Sequence, residues 1–177
     1  MAKPSADAIA YSAAALQSGD VQEALEVRNR EFRQATGSFD ESIVRTMQLI
    51  LTCTPQMLAD CPTEVVEPLR VAAAMMELWG TNTIRDFVTI DGEIDYRLDA
   101  QKIAHMLHMH GNFLRAVKDF RGSGITRVEL IRSGNSRDCK ECRALGGKLF
   151  SVDEVPELPL ATCRCKDGCA LWVVAVK

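Results

Sequence analysis

Five of the seven cysteines crowd into one stretch of the chain: Cys139, Cys142, Cys163, Cys165 and Cys169. They fall as Cys-x-x-Cys, then a gap, then Cys-x-Cys-x-x-x-Cys. Thiolates grouped in this way are the usual ligands of a tetrahedral metal ion. A two-residue spacer lets both sulfurs of one turn reach the same ion. Glycines beside the half-sites (Gly146, Gly147 and Gly168) allow the tight backbone such turns need. The segment is too short to hold together on apolar burial alone, so a structural metal has most to contribute there.

The spacing therefore predicts one structural zinc ion. Cys139 and Cys142 form the first half-site. The second is drawn from Cys163, Cys165 and Cys169. Cys163 and Cys165 stand two apart and are expected to diverge, whereas Cys169 follows Gly168 in a turn suited to closing on the ion. The favoured set is Cys139, Cys142, Cys163 and Cys169, with Cys165 as the alternate ligand. A redox pair or inert buried thiols are the competing readings. Four thiolates leave no open position for water, so such a site stabilises structure rather than activating a nucleophile.

Upstream, the chain reads as helices with clear punctuation. Ser5 is placed to cap a helix ending at Ser18 before Gly19, and Asp20 to cap the next, from Val21 to Thr36. Ser38 and Glu41 have the spacing of a capping box opening a third helix, which ends near Cys53. Pro55 restarts a short helix, and Pro68 is expected to begin an apolar one from Leu69 to Trp79. Alternating apolar residues around Asp91-Gly92 predict a hairpin between Asp86 and Leu98. A long helix from Asp99 to Phe120 carries an apolar stripe of Ile103, Met106, Leu107, His110, Phe113, Leu114 and Val117.

Arg121-Gly122-Ser123-Gly124 marks the expected boundary between a helical domain (residues 1–121) and a zinc-binding β module (residues 125–177). Strands are expected at Ile125–Ile131, Lys148–Val152 and Leu171–Val176. The fold class is thus α+β, with a small zinc ribbon-like module.

The run Ser136-Arg137-Asp138-Cys139-x-x-Cys142-x-x-Leu145-x-Gly147-Lys148-x-Phe150, then Pro156-x-Leu158-Pro159, then Cys163-Arg164-Cys165, resembles the C-terminal cysteine motif of phage minor head (head morphogenesis) proteins of the Mu F-like type. The resemblance covers about the last quarter of the chain. It implies a role in head assembly, with the zinc module as a rigid interaction knob, and a virion location in place of the cytoplasmic one otherwise expected. The family has a histidine three residues before its Cys-Arg-Cys; Leu160 stands there in this chain, and Cys169 is the available replacement ligand.

Charge narrows the partners. The net charge of -3 gives no long-range pull toward nucleic acid or an anionic membrane. Around the cysteines, Arg137, Lys140, Arg143, Lys148, Arg164 and Lys166 are balanced by Asp138, Glu141, Asp153, Glu154, Glu157 and Asp167. A protein partner is expected, and a nucleic-acid reader finds no support in charge. No phosphate loop, nucleophile elbow or His-Glu-x-x-His motif is present, so the expectation leans away from an enzyme. The alternatives are a nucleic-acid-binding or regulatory zinc-ribbon protein and an enzyme with a site at the domain junction. His105 and His108 share a helix face where a second metal has no helical partner, and His110 is expected in the core. Cys53 and Cys61 are expected to be inert thiols.

Overall fold

The computed structural model describes residues 4–32, 38–80, 100–134, 138–165, 168–169 and 171–176; of residues 38–40 it gives the backbone alone. The chain is α+β, as the sequence predicts. Six α-helices and a small antiparallel sheet are seen among the described residues. The elements are α1 (Ala6–Gln17), α2 (Val21–Phe32), α3 (Ser38–Thr52), a 3₁₀ turn (Gln56–Leu58), α4 (Thr63–Trp79), α5 (Ala100–Gly122), β1 (Arg127–Arg132), α6 (Lys140–Leu145), β2 (Leu149–Ser151) and β3 (Leu171–Ala175). The hairpin expected between Asp86 and Leu98, the Ser38 cap and the Asp99 cap lie outside the described residues.

Local chemistry sets the first two helices. The Ser5 hydroxyl accepts the Ala8 amide at 3.2 Å, and the Asp20 carboxylate accepts the Glu23 amide at 2.9 Å. Each satisfies one of the donors a helix start leaves free. Between the two helices Gly19 takes a φ of 83°. The end of α3 is finished by a cation instead. Arg70 is buried, and its guanidinium donates to the carbonyls of Ile50 (2.8 Å) and Cys53 (2.7 Å). A helix C-terminus carries partial negative charge and free carbonyls, which an arginine from a neighbouring helix can satisfy together.

α4 differs from expectation. It begins at Thr63 after Pro62, and Pro68 sits inside it. The Pro62 carbonyl accepts the amides of Val65 and Val66, so the earlier proline nucleates the helix. Pro68 is exposed, so the helical bond its missing N–H gives up faces water.

α3, α4 and α5 pack around Met47, Ile50, Met76, Ile103, Met106 and Leu107, all buried. α5 lies close against α3 at Gly111, where an added Cβ would stand 2.5 Å from Ile50 Cγ1 and 3.2 Å from the Thr46 carbonyl oxygen. α1 and α2 cover the other side of α4 through Leu16, Ala24 and Leu25.

β1 is the middle strand of the sheet, in the order β2-β1-β3, with both pairs antiparallel. Val128, Leu130 and Leu171 are fully buried and define the inner face. The partners Glu129–Leu149, Glu129–Val174 and Ile131–Trp172 fall on the opposite face. Leu149 and Trp172 there are 49% and 46% exposed.

One continuous cluster of buried apolar residues runs from the helices into the sheet and the cysteine segment. Polar ties cross in the same direction. His110 Nδ1 meets the Leu158 carbonyl at 2.9 Å, the Gln56 amide donates to Glu157, and Arg121 pairs with Asp153 at 2.8 Å. His110 is therefore a hydrogen-bonded core residue.

Candidate metal centre

The site is built from two loops that the sheet brings together. After β1 the chain turns through Asp138 and Cys139 into the short helix α6, whose first turn carries Cys142. The return from β2 passes Leu158, Pro159 and Leu160 and delivers Cys163 and Cys165 without forming a strand. Leu158 and Leu160 are buried and anchor this approach, which His110 also holds by its bond to the Leu158 carbonyl.

The sulfurs of Cys139, Cys142, Cys163 and Cys165 all lie within 4.8 Å of one another. Cys142 is the common neighbour: its Sγ is 3.7 Å from Cys163, 3.7 Å from Cys165 and 3.8 Å from Cys169. Cys142, Cys163, Cys165 and Cys169 are buried, Cys139 is half-buried, and all five are free of disulfides. Thiols converging in this way can hold a metal ion.

Cys163 and Cys165 do not diverge as the spacing was expected to make them. Side chains two apart in an extended chain share a face, and both sulfurs accordingly join one group. Cys169 also reaches the cluster, touching it through Cys142.

The surroundings suit thiolates. The Cys139 amide donates to Cys165 Sγ at 3.2 Å. Arg143 donates to the Asp138 carbonyl at 2.6 Å, and Ser133 donates to the Asp138 carboxylate at 2.9 Å, which ties the Cys139 turn to the end of β1 and to α6. Burial pushes the Cys139 pKa up, but hydrogen bonds from the Arg164 and Cys142 backbone outweigh it and leave the thiol below its ordinary value. Hydrogen bonds from the thiols of Cys142 and Cys163 hold Cys169 well below the ordinary range. Contact with Cys142 pulls Cys163 down, yet its neighbour Cys169 and burial push harder, and Cys163 ends above. Crowding of like groups splits their proton affinities.

A groove of about 440 Å³ lies beside the cluster, between α5 and β3. His105, His108, Asn112 and Arg115 line it from the helix, and Cys169, Leu171 and Trp172 from the other wall. His108 Nε2 and Asn112 Nδ2 each lie 2.9 Å from Glu77 Oε2, a carboxylate supplied by α4. Burial raises the Glu77 pKa, but these two hydrogen bonds prevail and hold it below its ordinary value. Glu77 thus joins α4 to His108 and Asn112 of α5. His105 packs so closely against Gly168 that a Cβ added there would collide with the imidazole Cδ2. Neither contact was legible in the sequence, because both cross between elements far apart in the chain.

Cys53 and Cys61 are half-buried and remote in sequence from the cluster. Burial, then the neighbouring Asp60 charge, raises the Cys61 pKa, which disfavours a reactive thiolate. No helix among the described residues is long and apolar enough to cross a membrane. No family model, no curated protein and no solved structure matches the chain.

Proposed function

We propose that the chain is a non-enzymatic binding or assembly protein whose C-terminal segment is fixed by one structural zinc ion on Cys139, Cys142, Cys163 and Cys165. The mutual approach of these four sulfurs within 4.8 Å carries the reading. Zinc–thiolate bonds of about 2.3 Å in a tetrahedron give sulfur–sulfur edges of about 3.8 Å. The distances of 3.7 Å from Cys142 to Cys163 and to Cys165 match that edge. An all-sulfur donor set favours a soft or borderline ion over magnesium or calcium. With four protein ligands the ion has no position left for water, which supports a structural role.

The outer face of the sheet supports a protein partner. Leu149, Ile131, Trp172 and Val174 share it, and exposed aromatic and aliphatic side chains on a rigid sheet suit protein contact better than nucleic acid. The likeness of the cysteine motif to phage minor head proteins supports head morphogenesis as the setting, with the zinc-braced sheet as the surface presented to another assembly component.

Native mass spectrometry of the purified full chain tests the metal reading. One zinc per chain is expected, lost on denaturation or prolonged chelation. A chain that purifies without zinc, and whose thiols react no faster after chelator treatment, overturns it. Co-expression with portal and capsid proteins tests the assembly role. Retention of the Trp172→Ala chain at wild-type levels in such assemblies counts against the sheet face as the contact.

A further inference from the structure

We propose that Cys169 is a modification site for hydrogen peroxide and related hydroperoxides, and that its oxidation ejects the metal by forming a disulfide with Cys142. The inference rests on the zinc reading above and adds a regulation to that site.

Two observations carry it. The cluster holds one sulfur more than a tetrahedral ion takes. The tetrad is Cys139, Cys142, Cys163 and Cys165, while Cys169 Sγ lies 3.8 Å from Cys142 Sγ. A spare thiol in contact with a ligand thiolate is placed to resolve an oxidation at either sulfur. Access supplies the second observation. Of the five clustered cysteines, Cys169 is the one that lines the groove between α5 and β3. Cys169 is itself buried and Cys139 is the more exposed sulfur, but Cys169 is the one that a small oxidant in this groove meets.

The chemistry balances with peroxide as the sole oxidant. The Cys169 sulfur attacks one peroxide oxygen, the O–O bond breaks, and hydroxide leaves to become water. The product is a sulfenic acid. Cys142 leaves the ion and attacks that sulfur; the S–S bond forms, the S–O bond breaks, and the second oxygen leaves as water with a proton from solvent. Peroxide gains two electrons, one from each sulfur. Cys139, Cys163 and Cys165 alone would then hold the ion, one thiolate short of the tetrahedral set.

The experiment uses the zinc-loaded full chain. Metal content is measured first, so an unloaded protein reports failure of the zinc reading rather than of this one. Stoichiometric peroxide is then added with a chromogenic zinc indicator present, and the oxidised chain is mapped by peptide mass spectrometry. The expected result is release of one zinc per chain with a Cys142–Cys169 disulfide, reversed by a dithiol reductant plus zinc. Cys169→Ser is expected to bind zinc as the wild type does and to release it about tenfold more slowly, since the sulfur that peroxide attacks is gone. Cys53→Ser with Cys61→Ser is expected to release zinc at the wild-type rate. A Cys169→Ser chain that purifies without zinc makes Cys169 a ligand and overturns the switch. So does an unchanged release rate, or a disulfide in the wild-type chain that joins another pair.

Discussion

The helical part and the cysteine segment both have buried interiors, but different atoms fill them. Around α3, α4 and α5 the interior is Met47, Ile50, Met76, Ile103 and Leu107, closely packed and apolar. Between β1 and the loops that follow it, four of the buried side chains are thiols. Apolar burial stabilises in proportion to area and needs no cofactor. Thiols give little of that, and crowding them is favourable only where a cation gathers their charge. On the proposed zinc reading, one region draws on many small contacts and the other on a few strong bonds.

Four substitutions test this contrast, beginning with the largest effect. Cys142→Ser should abolish zinc binding, because the Cys142 sulfur touches three others. Hydrogen exchange should then rise throughout β1–β3 and α6 while α1 to α4 keep their protection. Equal loss in both regions would show that the helices depend on the metal as well. Leu107→Ala should cost about 2–5 kcal/mol in chemical denaturation, the range for a fully buried leucine, and leave zinc stoichiometry at one.

Glu77→Gln sharpens the comparison through pH. The folded pKa of Glu77 lies below its ordinary value of 4.5. Its carboxylate therefore stabilises the fold above that value, and the contribution is lost as pH falls through the lower folded pKa. The Glu77→Gln chain should be less stable at neutral pH and should show a flatter decline in helix protection below pH 4.5. Parallel acid curves for the two chains would remove Glu77 from the account. The smallest effect belongs to Ser5→Ala, a lost cap costing about 1 kcal/mol by thermal unfolding, with no change in metal affinity.

What could be read from the sequence follows the range of the forces involved. The Ser5 and Asp20 caps are contacts three residues long, and both were readable. The apolar stripe of α5 was readable because helical periodicity is local, and it included His110. Pro68 misled because either of two nearby prolines can open a helix, and the Pro62 carbonyl's bonds to the Val65 and Val66 amides show that Pro62 does so. The cysteine motif revealed which residues converge, yet not that Cys165 joins the mutual tetrad while Cys169 lines a groove. That arrangement depends on the path of a strandless loop pinned by Leu158 to α5. The same limit hid the pairing of His108 with Glu77, which α4 supplies from 31 residues earlier in the chain.

The strand order β2-β1-β3 has a consequence for biosynthesis. β1 is central, and both of its neighbours come later in the chain, β3 last of all the described elements. On a ribosome the helices emerge and compact first. β2 can pair with one edge of β1 first, and the other edge waits until the residues around Leu171 emerge. Cys139 and Cys142 emerge before Cys163 and Cys165, so on the proposed zinc reading the first half-site meets the ion before the second exists.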